Sequence, residues 1–126
     1  MTTRKELTKE QRIRKEFNRL KRFYKALVSY EKLKSIDGLM QRAAYLRVTL
    51  EDMEADLDEN GFTEPFSQSE NQSPYERERP TARLFNTLTK NYQSAMAQLN
   101  KVLPDEAPKD NDDGFDGFVS RRDDLG

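Results

Sequence analysis

The chain has neither cysteine nor histidine among its 126 residues. Disulfides, thiolate nucleophiles, thiol redox chemistry and zinc sites built on those side chains are therefore excluded, together with the usual proton-transfer group near neutral pH. Only 34% of the residues are apolar, too few for a large enzyme-style core in one domain of this length. No apolar run approaches the roughly 20 residues of a membrane span, and Met1-Thr2-Thr3-Arg4-Lys5 lacks the apolar stretch of a signal peptide. A cytoplasmic protein is expected.

Charge is abundant and nearly balanced, with 22 Lys and Arg against 23 Asp and Glu. The balance hides a segregation. Residues 1–34 carry 12 bases and 4 acids, whereas residues 35–64 carry 2 bases and 8 acids. Residues 65–104 hold 5 bases and 3 acids, and residues 105–126 hold 3 bases and 8 acids. Blocks of this kind meet partners or each other.

Three helical periods follow one another, and the expected fold is all-α. Thr8 with Gln11 forms a capping-box pattern ahead of Ile13, Phe17, Leu20, Tyr24 and Leu27, which predicts a helix over about 8–28. Ile36, Leu39, Ala43, Leu46, Leu50, Met53 and Leu57 predict a second helix over about 32–59, stopped by Asn60-Gly61. Gly38 inside it implies either a closely packed neighbour or a later start near Gly38. Residues 62–79 show no periodicity and are expected to be a long loop or crossover. Pro80 opens a third helix, with Leu84, Leu88, Tyr92, Ala95, Leu99 and Val102 on one face, over about 80–103. Residues 1–104 then form one helical domain. Residues 105–126 are too acidic and too poor in apolar groups to offset the entropy of ordering, so they are expected to be a disordered tail.

A bundle this small buries modest apolar area and commonly gains stability by assembling with its own copies. A homo-oligomer is expected, with contacts from Leu46, Leu50, Met53, Leu84, Leu88, Tyr92 and Leu99; a monomeric bundle is the alternative.

At 100° per residue, Arg12, Lys15, Arg19 and Arg22 make one stripe on the first helix, and Arg14, Lys21 and Lys25 make another. A short connection would set the second helix antiparallel, with Lys5 to Lys9 across from residues 53–57 and mutually neutralised there. Residues 12–25 would instead face 37–50, where Arg42 and Arg47 add to the positive charge. Such a face can neutralise nucleic-acid phosphates, bind an acidic protein or simply be solvated. Phe17, Phe23 and Tyr24 read as core and not as base-stacking residues. Of Arg77, Arg79, Arg83 and Lys90 near the third helix, Arg77 and Lys90 read as plain helix packing, and Arg79 and Arg83 stay open to a functional role. The acids from Glu51 to Glu59 scatter around their helix and read as a solvated or neutralising face. In the tail, Asp112, Asp116, Gly117 and Asp123 match part of a calcium-loop pattern, but Gly114 occupies its third position. No metal or cofactor is expected, and the tail with Phe115 and Phe118 reads as a docking segment for a basic groove on a partner.

Residues 3–16 (TRKELTKEQRIRKE), 44–52 (AYLRVTLED), 59–64 (ENGFTE) and above all 74–86 (PYERERPTARLFN) resemble the small terminase subunit of tailed bacteriophages of Gram-positive hosts. Arg79, Pro80 and Asn86 map onto that family's start of its closing helix, and the likeness covers about residues 1–104. The resemblance implies a non-enzymatic, ring-forming subunit in the host cytoplasm. It would bind double-stranded viral DNA and present it to a large subunit holding the ATPase and nuclease; the tail would dock on that subunit or on the portal. The absence of a phosphate-binding glycine loop agrees with that division of labour. No short, glycine-containing helix-turn-helix is evident, so wrapping outside a ring and threading through it both stay open. The alternative from another class is a helical adaptor that binds an acidic protein and no nucleic acid.

Overall fold

Thr8 and Gln11 cap the first helix reciprocally: Gln11 N–H donates to Thr8 Oγ1 at 3.1 Å, and Thr8 N–H donates to Gln11 Oε1 at 2.9 Å. From this start α1 runs over Lys9–Lys25. The computed structural model describes residues 6–104, with α2 at Tyr30–Ser35, α3 at Asp37–Asn60, a hairpin of β1 (Thr63–Phe66) and β2 (Tyr75–Glu78), and α4 at Pro80–Asn100. The predicted tail, with Phe115 and Phe118, lies outside the described residues.

Mostly helical architecture agrees with the all-α expectation, but two details differ. The predicted helix over 32–59 is divided at Ile36, whose backbone (φ −103°, ψ 8°) leaves helical geometry. Ser29 caps α2 by accepting from Lys32 N–H at 3.2 Å, and α3 begins one residue before Gly38. Gly38 therefore sits in a first turn and not mid-helix, and the apolar period masked the division because Leu33, Ile36 and Met40 are buried on both sides of it.

The second correction is the β-hairpin inside the predicted loop. Its strands pair antiparallel, Thr63 with Glu78 through Phe66 with Tyr75. Arg77 crosses the pair to Glu64 at 2.8 Å and lies 3.7 Å from the centroid of the Phe66 ring, which meets Tyr75 edge-on at 5.9 Å. The hairpin base is closed by Arg79 N–H donating to Phe62 O at 2.9 Å. Gly61, at φ +84°, makes the turn out of α3 in a conformation that favours glycine, as expected for Asn60-Gly61.

α1 and α4 each pack on α3, antiparallel to it. Arg12 near the start of α1 meets Glu51 and Asp52 late in α3, while Asp56 late in α3 meets Arg79 at the start of α4. Because α3 has a neighbour on two sides, it buries Met40, Ala44 and Val48 in addition to the expected Ala43, Leu46, Leu50 and Leu57. Leu20, Tyr24, Met40 and Leu99 are the largest fully buried side chains, and burying each apolar group of this size contributes about 1.5–3 kcal/mol. The Tyr24 hydroxyl donates to Asn100 Oδ1 at 2.8 Å, which joins the C-terminal ends of α1 and α4. Leu103, beyond α4, folds back into the same core.

Candidate nucleic-acid interface

The seam of Ile13, Phe17, Leu20, Tyr24 and Leu27 packs into the core and turns the remaining circumference of α1 outward. That outward face carries both basic stripes. On one flank, a cleft of about 490 Å³ is lined by Arg12, Lys15, Arg19, Arg22 and, from α3, Arg47. On the other flank, a wider groove of about 860 Å³ between α1 and α3 has Ile13, Phe17 and Tyr45 along it and Arg14 and Arg42 on its two sides. α1 is thus a positive ridge between two depressions.

Nine cations were expected at this interface, and the structure divides them. Arg12 donates to Asp52 at 2.6 Å and to Glu51 at 2.9 Å, and these hydrogen bonds raise its pKa further, so its charge is firmly held and locally compensated. Arg19 makes two 2.9 Å bonds to Glu16. Arg47 donates to the Tyr92 hydroxyl at 3.2 Å and reaches Glu51 at 3.3 Å; the Tyr92 bond is the main cause of its raised pKa. The other six, Arg14, Lys15, Lys21, Arg22, Lys25 and Arg42, are exposed and form no ion pair among the described residues. Lys21 lies over the Phe17 ring, 6.0 Å from its centroid.

The expectation that residues 12–25 escape masking by α3 is corrected at Arg12. The register brings Glu51 and Asp52 against it, one turn further along α1 than the predicted contact of Lys5 to Lys9. Lys9 instead lies 4.8 Å from the centroid of the Tyr45 ring.

Tyr45, 48% exposed, is the aromatic the sequence reading passed over. Its signal was its position off the apolar seam of the second predicted helix, one helical turn from Arg42. Phe17 and Phe23 pack against the core and Tyr24 is buried, as expected.

Among the residues assigned to self-association, Leu46, Leu50 and Leu99 are buried within the chain, because the faces of α3 and α4 close on each other. Met53, Leu88 and Tyr92 are half-buried, and Leu84 is 51% exposed. Leu84 stands beside the hairpin with Phe62 and Tyr75 also exposed.

Arg79, singled out by the resemblance, has a structural task. Its backbone caps α4 while its guanidinium donates to Gly61 O at 2.8 Å and Asp56 at 2.9 Å, tying the hairpin base to α3. Asn60 and Arg79 together hold the Asp56 carboxyl below the usual carboxylate range. Arg83 is largely exposed and approaches Glu78 at 3.4 Å. Glu51, Asp52 and Asp56 of α3 thus serve as partners for cations, and among the described residues no group of Asp and Glu is arranged to hold a metal ion. None of the described helices is long and apolar enough to cross a membrane. No known family, curated protein or solved structure matches the chain.

The arrangement suits backbone contact with a polyanion. Long cationic side chains radiate from a rigid helix, as contact with phosphates requires.

Proposed function

We propose that this chain is a non-enzymatic DNA-binding subunit of a phage terminase, with α1 contacting the phosphates of double-stranded viral DNA. The observation that carries the reading is the exposed face of α1, where Arg14, Lys15, Lys21, Arg22 and Lys25 have no ion-pair partner among the described residues. The resemblance of residues 3–16 and 74–86 to small terminase subunits supplies the biological setting. In that setting the protein assembles as a homo-oligomeric ring and delivers DNA to a large ATPase-nuclease subunit. Leu84, Phe62 and Tyr75 each offer exposed apolar surface for contacts between copies.

Fluorescence anisotropy of labelled duplex DNA with the full chain tests the reading. Affinity should fall steeply with salt, and Lys15→Glu with Arg22→Glu should abolish it while leaving helicity unchanged. Unaltered binding in that double variant moves the site away from α1. No affinity at low salt replaces the reading with a helical adaptor for an acidic protein. Sedimentation at micromolar concentration tests the assembly: a sole species at the 14.8 kDa of one chain refutes it.

A further inference from the structure

The groove between α1 and α3 passes Gly38, which carries no side chain to occupy it. At Gly38, an added Cβ would meet nothing within 4 Å. Around that space stand the apolar Ile13 and Phe17 and the exposed Tyr45. Arg14 on α1 and Arg42 on α3 border it from opposite sides, and neither has an ion-pair partner among the described residues. Glu10 is the one acid on its edge. A slot with an aromatic floor and arginines on both sides fits an aromatic ring flanked by carboxylates.

The same chain carries that chemistry. Residues 112–118 read Asp-Asp-Gly-Phe-Asp-Gly-Phe, within a segment of 8 acids and 3 bases. We propose that this segment docks in cis on its own α1–α3 groove, with Phe115 over Gly38 and the adjoining aspartates on Arg14 and Arg42. This goes beyond the DNA-binding proposal and does not depend on it.

Reach permits it. The chain leaves the core at Leu103, beside the C-terminal ends of α4 and α1, which the Tyr24–Asn100 bond joins. Phe17 lies 7 residues before Tyr24, or about 10 Å along the helix. Phe115 follows Leu103 by 12 residues, enough to span about 40 Å when extended. The connection is several times longer than the path requires. Docking places carboxylates beside Arg14, so the segment would compete with any other anion for that side of α1.

The chain contains no tryptophan, so Phe115→Trp introduces one emission reporter into the full chain. Docking predicts blue-shifted emission at low salt that does not change on dilution and relaxes toward that of exposed indole at high salt. Gly38→Leu should fill the slot, and Arg14→Glu with Arg42→Glu should remove its charge. Either change should return emission to the exposed position with helicity intact by circular dichroism. Exposed-type emission in the unblocked chain overturns the proposal, as does a blue shift insensitive to the groove substitutions. A shift lost on dilution also overturns it, because the occupant would then be the segment of a second copy.

Discussion

Lys15 and Arg12 lie on the same stripe of α1, yet replacing each by glutamine should affect DNA binding differently. Arg12 is bonded to Glu51 and Asp52, whereas Lys15 has no ion-pair partner among the described residues. Each phosphate neutralised by a protein cation contributes about 0.9 to the slope of log affinity against log salt. If Arg14, Lys15, Lys21, Arg22 and Lys25 all engage, the slope per chain is about −4.5, and raising salt from about 50 to 200 mM lowers affinity about 500-fold. Lys15→Gln should reduce the slope to about −3.6. Arg12→Gln should leave it nearly unchanged, since the lost charge was already compensated within the protein. Its effect on stability should be small too, about 0.5 kcal/mol, because the ion pairs are partly exposed and screened by water. The assay is anisotropy of a labelled duplex at five or more salt concentrations, with thermal melts on the same samples. Equal slope losses in the two variants refute the claim that α3 masks Arg12. A slope shallower than about −1 in the unaltered chain refutes α1 as a phosphate-binding face.

Further tests address the scaffold. Leu99→Ala, at a fully buried position, should cost about 2–5 kcal/mol in urea unfolding; a loss below about 1 kcal/mol would place Leu99 outside the core. Tyr24→Phe removes the hydroxyl that bonds Asn100 and should cost about 1 kcal/mol, with an unchanged denaturant slope. Gly38→Ala meets no steric obstacle among the described residues and should stabilise the chain by about 0.5 kcal/mol by restricting the unfolded state; destabilisation would mean that the groove is closed in solution. Asp56 titrates below its unfolded pKa of about 3.9, so its contribution to stability is complete above that value and disappears as pH falls through the folded pKa. Acid unfolding of Asp56→Asn should lack this part of the pH dependence, and an identical acid limb in both proteins would contradict the Asp56–Arg79 tie.

The three long helices were legible because burial imposes a period. α1 and α4 each show the core one face, and their apolar residues recur every three or four positions over nearly the observed spans. α3 was legible as a helix but not as the central one. Its second buried stripe includes Ala44, whose small size allows close packing and gives little hydropathy signal. The hairpin was invisible for the opposite reason. None of the residues in β1 or β2 is fully buried, so no apolar alternation marks the strands, and Pro65 argues against one of them. What holds the hairpin together is pairwise: Arg77 on Glu64 and Phe66, and Arg79 on Asp56 and Gly61. Interactions between residues 11 to 23 positions apart leave no periodic trace.

The same limit governs the candidate interface. Charge counting located the basic helix, and helical angles sorted its cations into stripes, but a count treats every arginine alike. Pairing distinguishes them: Glu16 takes Arg19 from within α1, while Glu51 and Asp52 reach Arg12 across the hairpin of helices. Whether Asp52 meets Arg12 depends on where the chain turns between α1 and α3, and that turn contains α2, which the predicted single helix did not resolve. An error of one or two residues in that register decides which cation is masked. The near-neutral total of 22 bases and 23 acids is therefore compatible with a strongly positive surface, because the acids that offset it are placed on α3 and in residues 105–126. Of those on α3, Glu51, Asp52 and Asp56 are committed to particular arginines by the fold. Those of 112–116 can reach the groove at Gly38, which offers their charge a complementary surface on this chain.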